Sequence, residues 1–205
     1  THPKYLKMMY HGGIIELNEA CKICNSSYFQ DVFTFDKLFF SDGNKSNEKL
    51  IKEECTACGT VRTKLKMDLK FFYLNNYQPS RNTDTVALID NEEVNRSKFV
   101  YEWIKDLIPE KKFHETKSVL EIGCGQGYLL EKFKEKEKFG IEPSLDASRL
   151  ASQTASIRNI GYEKIDDKEK YDLVFSYCVI EHVENPSSFI QKKNKVLSDE
   201  GIMCV

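Results

Sequence analysis

Two Cys-x-x-Cys pairs, Cys21 with Cys24 in "EACKICNSSY" and Cys55 with Cys58 in "EECTACGTVR", stand with thirty residues between them. Two-residue spacing lets both sulfurs of one turn face a single ion, and four thiolates complete the tetrahedron that structural Zn²⁺ prefers. Gly59 after Cys58 and Asn25 after Cys24 suit the left-handed residue that closes such a turn. Four unrelated buried cysteines would leave both the spacing and the turn residues to coincidence. Since cysteine fills all four positions, no place remains for a catalytic water, and the pattern predicts a structural zinc. A module of about fifty residues buries little apolar surface, so a closed metal site would supply folding energy.

A second constellation lies downstream. The apolar run "KSVLEIG" leads into Glu121-Ile-Gly123-Cys-Gly125-Gln-Gly127, and "KFGIEP" ends on Glu142 before Pro143. Glycines there let a backbone approach a ligand closely, and the "YLLEKFKEK" segment that follows reads as a helix whose start offers free N–H groups. A dinucleotide fingerprint starting at Gly123 would need its third glycine at position 128, which is Tyr128, and no phosphate-loop Lys-Ser/Thr follows. A carboxylate such as Glu142 can accept two hydrogen bonds from a vicinal diol. Glu181 and His182 fall in "SYCVIEHVENP", and histidine is the residue type best suited to accept a proton near neutrality.

These groups need a frame. "KSVLEIG", "KFGIEP", "GYEKI", "YDLVFSY" and "GIMCV" alternate with helix-like stretches at 127–137, 144–157 and 187–197. That alternation predicts an α/β fold with a doubly wound parallel sheet and right-handed crossovers, which binds ligands beyond the carboxyl ends of its strands. The expected organisation is a zinc-binding, ribbon-like module at 1–70, a linker at 71–90 and the α/β domain at 91–205. In the module, "YFQDVFTFDKLFF" reads as short strands and "SDGNKSNE" as a loop. Asn91, Glu92 and Glu93 are expected to open a helix whose Phe99, Val100, Trp103, Ile104 and Leu107 pack as core until Pro109 ends it. Tyr73, Tyr77 and Arg81 belong to a loop that either packs or folds over a substrate. Cys124, Cys178 and Cys204 share no ligand spacing and read as buried apolar residues, and His2, His11 and His114 as solvated or packed.

Composition narrows the class. Thirty basic against thirty-two acidic residues give a net charge of −2, with Lys and Glu mixed along the chain. Nucleic-acid binders usually carry a basic excess, so that partner is disfavoured, with "RTKLKMDLK" as the one local exception. No apolar run approaches the ~18 residues that span a bilayer, and "THPKYLKMMYHGG" lacks a secretory pattern. We expect a cytoplasmic protein without a membrane segment, whose seven cysteines stay reduced.

Residues 117–205 resemble the class I S-adenosylmethionine (SAM) methyltransferases, whose first motif reads acid-x-Gly-x-Gly-x-Gly after the first strand. The resemblance implies the Rossmann-like fold of that family and SAM as cofactor, with Gly123, Gly125 and Gly127 beneath its amino-acid part. It further implies Glu121 near the ammonium, Glu142 on the ribose hydroxyls and Asp166, near the end of the third run, towards the adenine. His182 would serve as general base, Glu181 would orient it and Tyr177 would hydrogen-bond the acceptor; the alternative makes Glu181 and His182 fold-level features. The order of zinc module, linker and SAM domain resembles bacterial sugar C-methyltransferases, which implies a small-molecule acceptor, a nucleotide-linked sugar such as a deoxyketosugar or a related polysaccharide or natural-product precursor. That family continues past "GIMCV" through two more strands and a further domain, so a shortened fold is expected. An RNA or other O- or N-methyltransferase and a non-catalytic SAM-binding fragment are the competing readings.

Overall fold

Four of the five apolar runs after residue 117 lie on strands of the structure, a computed structural model that describes residues 15–16, 19–39, 45–46, 49–66, 84 and 86–205. Tyr73, Tyr77, Arg81, His2, His11 and most of the expected 71–90 linker lie outside the described residues. The chain separates into two compact units, Thr1–Asn76 with Asn185–Ser187 and Tyr77–Glu184 with Ser188–Val205.

In the first unit β1 (Phe29–Phe35), β2 (Leu50–Cys55) and β3 (Val61–Thr63) form an antiparallel sheet in that order. Short pairings join Ile15–Glu16 to Leu65–Lys66 and Leu38–Phe39 to Lys45–Ser46. The central strand is the buried one, with Cys55 and Glu53 inside, and the Glu53 carboxylate pairs with Arg62 at 2.6 Å. Arg62 also lies over the Phe29 ring, 3.7 Å from its centroid, so a single cation spans the sheet.

The second unit opens with the hairpin β4 (Val86–Ile89) and β5 (Glu92–Asn95), joined through Asp90 at φ 51° and Asn91 at φ 66°. Two consecutive left-handed residues make the tight turn that matches strand twist. Asn91, Glu92 and Glu93 therefore build a hairpin and do not start the helix as expected. Helix α1 (Arg96–Leu107) begins later, where Asp84 accepts hydrogen bonds from the Ser97 N–H and hydroxyl. It buries Val100 and Ile104, whereas Phe99, Trp103 and Leu107 are 45%, 50% and 60% exposed, so the aromatic side of the predicted stripe is not core. Helix α2 (Glu110–Glu115) follows Pro109, and His114 on it is exposed.

Five parallel strands come next: β6 (Ser118–Ile122), β7 (Glu137–Ile141), β8 (Ser156–Arg158), β9 (Tyr171–Phe175) and β10 (Leu197–Cys204), in spatial order β8-β7-β6-β9-β10. Helices α3 (Leu145–Ala151) and α4 (Pro186–Lys195) accompany them. The winding reverses between β6 and β9, which places a crevice beyond their carboxyl ends, as the alternation predicts. Val119, Leu173 and Phe175 point to the face that packs with Val100, Ile104 and Phe133, and Leu120, Ile122 and Val174 to the face that packs with Phe189. The period of two along each strand produces this division.

Three elements differ from expectation. Between 127 and 137 only Leu130–Lys132 forms a 3-10 turn, because Phe133 leaves helical geometry at ψ 56° to bury itself and Lys136 donates to the carbonyls of Phe113 and Thr116 at 2.7 Å. Tertiary contacts override helix propensity there. The third strand is Ser156–Arg158, while "GYEKI" carries the 3-10 turn Tyr162–Lys164. An edge strand pairs on one side only and needs no apolar run, so its sequence signal is a lone Ile157. Cys178 also departs from the buried reading: it is exposed and sits at φ 55°, whereas Cys124 is buried and Cys204 intermediate.

Candidate functional site

The glycine loop owes its path to three left-handed residues, Gly123, Gly125 and Gly127, at φ 78°, 53° and 82°. Such angles are strained for residues with a Cβ, so glycine is required by the turn itself. Gly123 and Cys124 donate to the Ile141 carbonyl at 2.7 and 3.1 Å, which ties the loop to β7. A Cβ at Gly123 would stand 2.5 Å from Val179 Cγ2, and one at Gly127 3.0 Å from Ala151. At Gly125 it would meet nothing within 4 Å among the described residues, so the loop borders open space with respect to them.

Two acids converge on this loop. Glu142, buried just past β7, accepts from Gly125 N at 2.9 Å and from Ser144 N at 2.8 Å. Burial raises its proton affinity, and the two N–H donors oppose the rise. Glu121, within β6, is buried, and its Oε2 has no hydrogen-bond partner among the described residues. Burial first, then the charge of Glu142, push Glu121 up to about 8, against a Leu130 N–H. Gln126 Nε2 in the same loop is a buried donor that likewise lacks a partner among the described residues. An orphaned acceptor, an orphaned donor and an open glycine cradle fit the ammonium and carboxylate of an amino-acid moiety. These residues therefore fit SAM, which the resemblance implies.

The fourth strand brings the remaining groups. Phe175 stands opposite Glu121 in the β6–β9 register, so Tyr177 lies just past the strand end at the level of the glycine loop. Arg96 at the start of α1 donates to its hydroxyl at 3.1 Å. Glu181 and His182 occupy the 3-10 turn Ile180–His182, about half exposed, with Nε2 3.9 Å from Glu181 Oε1. That separation is a charge contact and not a hydrogen bond, so it orients the imidazole weakly. Asp166 sits apart from the third strand in an exposed turn, where it caps Lys168 N at 3.0 Å. Asn159, which directly follows β8, instead donates to the carbonyls of Glu142 and Pro143, both at 2.8 Å. Arg96, Gln126 and Asn159 carry no motif, and only the fold reveals them.

In the first unit the two cysteine turns are near copies. Asn25 N donates to Cys21 O and Gly59 N to Cys55 O, each at 2.8 Å, with Asn25 at φ 61° and Gly59 at φ 74°. The sulfurs of Cys21, Cys24, Cys55 and Cys58 all lie within 4.8 Å of one another, and the pairs Cys21–Cys58 and Cys24–Cys55 are 3.7 and 3.5 Å apart. A Zn–S bond of about 2.3 Å gives a tetrahedral edge of about 3.8 Å, so the cluster fits the ion. Burial tends to raise Cys21, but the N–H groups of Cys24 and Ile23 and the neighbouring sulfurs outweigh it and hold the thiol down to about 6. Cys55 is held down as well, whereas at Cys24 the Ser26 N–H is overridden by the neighbouring sulfurs, which push the thiol up. The sulfurs thus share their protons unevenly, and Cys21 and Cys55 are the ones that offer thiolates most readily.

Among the described residues, no helix is long and apolar enough to cross a membrane. The chain is similar to the ubiquinone biosynthesis O-methyltransferase of Rhodopseudomonas palustris (strain TIE-1), 34% identical over 96 residues that cover 42% of this chain and 38% of that protein. Its counterpart in Glaesserella parasuis serovar 5 is 35% identical over 104 residues, covering 43% and 44%. The chain thus spans less than half the length of these relatives. Among solved structures, the plantazolicin methyltransferase BpumL in complex with a monoazolic desmethylPZN analog and SAH matches at TM-score 0.46 and 21% identity, over 53% of this chain and 47% of that one. The family model described as "Methyltransferase domain" matches residues 93–205, more than half of the chain. Over those residues the chain belongs to the methyltransferase-domain family.

Proposed function

We propose that this chain is a SAM-dependent methyltransferase acting on a small molecule. The observation that carries the reading is the buried Glu121 oxygen, without a partner among the described residues, set in β6 below a glycine loop that meets none of them at Gly125. When bound, SAM supplies an electrophilic methyl group on a sulfonium. Glu121 holds the ammonium, and Gln126 offers its free N–H to the carboxylate. Glu142 keeps unused lone pairs on both oxygens for the ribose hydroxyls. Tyr177 hydrogen-bonds the acceptor, and His182 takes its proton, with Glu181 favouring the imidazolium. Cys21, Cys24, Cys55 and Cys58 hold a structural zinc.

The acceptor we favour is a nucleotide-linked ketosugar, supported by the order of zinc module and SAM domain. In that substrate His182 would remove the proton beside the ketone. The 34% identity to enzymes named for O-methylation in ubiquinone biosynthesis supports a second reading, transfer to a phenolic hydroxyl. The test is calorimetric binding of S-adenosylhomocysteine (SAH), followed by transfer from methyl-tritiated SAM to nucleotide 4-ketosugars and to catechols. Absence of SAH binding would sink the proposal. Proton exchange beside the ketone that survives in His182→Ala would remove His182 as the base.

A further inference from the structure

Arg96 is the first residue of α1, and its guanidinium reaches across to the end of β9. Nε donates to the Tyr177 hydroxyl at 3.1 Å, Nη2 donates to Cys178 Sγ at 2.9 Å, and the guanidinium carbon lies 4.7 Å from the Tyr177 ring centroid. Among the described residues no carboxylate pairs with it, and its partners there are these two neighbours. Cys178 is held at φ 55°, a left-handed conformation that is strained for a residue with a Cβ. The same cation thus grips the residue beside this strained position and the strained residue itself.

The direction of the first bond has a consequence. A guanidinium carries only donors, so the Tyr177 oxygen must accept, and the hydroxyl hydrogen has to point to some other acceptor. Tyr177 itself lies on the Glu121 side of the sheet, two residues beyond Phe175. Val179, two residues further on, packs against Gly123 of the cofactor loop. Tyr177, whose hydroxyl Arg96 holds, therefore stands just past the end of β9, beside the strand end that meets the cofactor loop.

We propose that Arg96 is a positioning residue that makes Tyr177 a dedicated hydrogen-bond donor, selecting acceptors that present an oxygen lone pair, a carbonyl or oxyanion, beside the atom to be methylated. This rests on the reading that Tyr177 lines the acceptor side. A bare apolar carbon acceptor would leave that hydrogen unpaired.

The test uses the whole chain labelled with Cζ-¹³C tyrosine, where Tyr177→Phe identifies the Tyr177 signal. Arg96→Met moves that signal and Arg96→Lys restores part of the shift, with SAH affinity equal in all variants. On whichever ketosugar or catechol the unaltered chain methylates, Arg96→Met lowers kcat by about 10- to 100-fold with KM for SAM unchanged. The Arg96→Met, Tyr177→Phe double variant loses no more than either single one. An unmoved Tyr177 signal in Arg96→Met, full kcat, or losses that multiply would overturn the inference. Failure of the unaltered chain to bind SAH overturns the methyltransferase reading instead, while the NMR arm still decides the Arg96 bond.

Discussion

The Gly125 N–H donates to one oxygen of Glu142 across 2.9 Å while the other oxygen accepts from Ser144, so a single carboxylate joins the glycine loop to the end of the second parallel strand. Glu142→Gln turns one acceptor into a donor that faces an N–H. Buried groups left unsatisfied cost about 1–3 kcal/mol each. Thermal unfolding should shift down accordingly, and SAH affinity should fall at least tenfold by calorimetry.

Gly123 and Gly125 share left-handed backbone, yet only Gly123 is crowded, since a Cβ added there would meet Val179 at 2.5 Å. Gly125→Ala should fold with a loss of about 1–2 kcal/mol from backbone strain alone, while SAH binding is abolished by the methyl group in the cradle. Gly123→Ala should lose clearly more stability. Equal melting temperatures for the two variants would contradict this assignment.

Cofactor affinity should depend on Glu121. Its pKa, raised from the ordinary 4.5 to about 8, means that the folded ligand-free chain keeps a proton which the unfolded chain has lost. Stability of the free chain therefore falls as pH rises from about 4.5 to about 8. An ammonium needs the ionised carboxylate, so SAH affinity should rise with pH between about 6.5 and 8, by at most about tenfold per unit. Calorimetry in buffers of different ionisation enthalpy should detect a proton released on binding near the lower end of that range. Glu121→Gln should bind weakly with a flat profile.

The four cysteines should hold about one zinc per chain, measurable by metal analysis, with Zn–S distances near about 2.3 Å by X-ray absorption. Cys55→Ser should retain none at stoichiometric level and should expose the first unit to proteolysis. Full metal content in that variant would refute the four-thiolate site.

Lys193 is fully buried, donating to Ser176 Oγ at 2.9 Å and to Cys204 O at 2.6 Å. Desolvation lowers its pKa from 10.5 to about 8, so the folded chain gives up this proton before the unfolded chain does. Its burden on stability is present in full below about pH 8 and eases as pH rises towards 10.5. Lys193→Met should remove that component of the pH slope, and at about pH 7 its net effect on stability should be small, because relief of the desolvation is offset by the hydrogen bonds lost at Ser176 and Cys204, each worth about 0.5–1.5 kcal/mol. Denaturant titrations of both chains, at neutral pH and again between the two pKa values, measure the difference.

Local chemistry accounts for what is legible in the sequence. Cys-x-x-Cys with Asn25 or Gly59 behind it encodes a turn within a few residues, and Glu-x-Gly-x-Gly-x-Gly after an apolar run encodes a strand, a left-handed loop and a buried acid in one stretch. Alternation of apolar runs likewise carries the parallel sheet, since each central strand is covered on both faces. Long-range packing decides the rest. The segment after Gly127 has helix-forming residues, but Phe133 and Lys136 find partners across the unit that a helix would forbid. Ser156–Arg158 pairs at an edge and so needs no apolar signature, which displaces the third strand and with it the position of Asp166. Arg96 meets Tyr177 across eighty-one positions of sequence, a contact that no spacing rule encodes, because only the stacking of α1 on the sheet brings the two together.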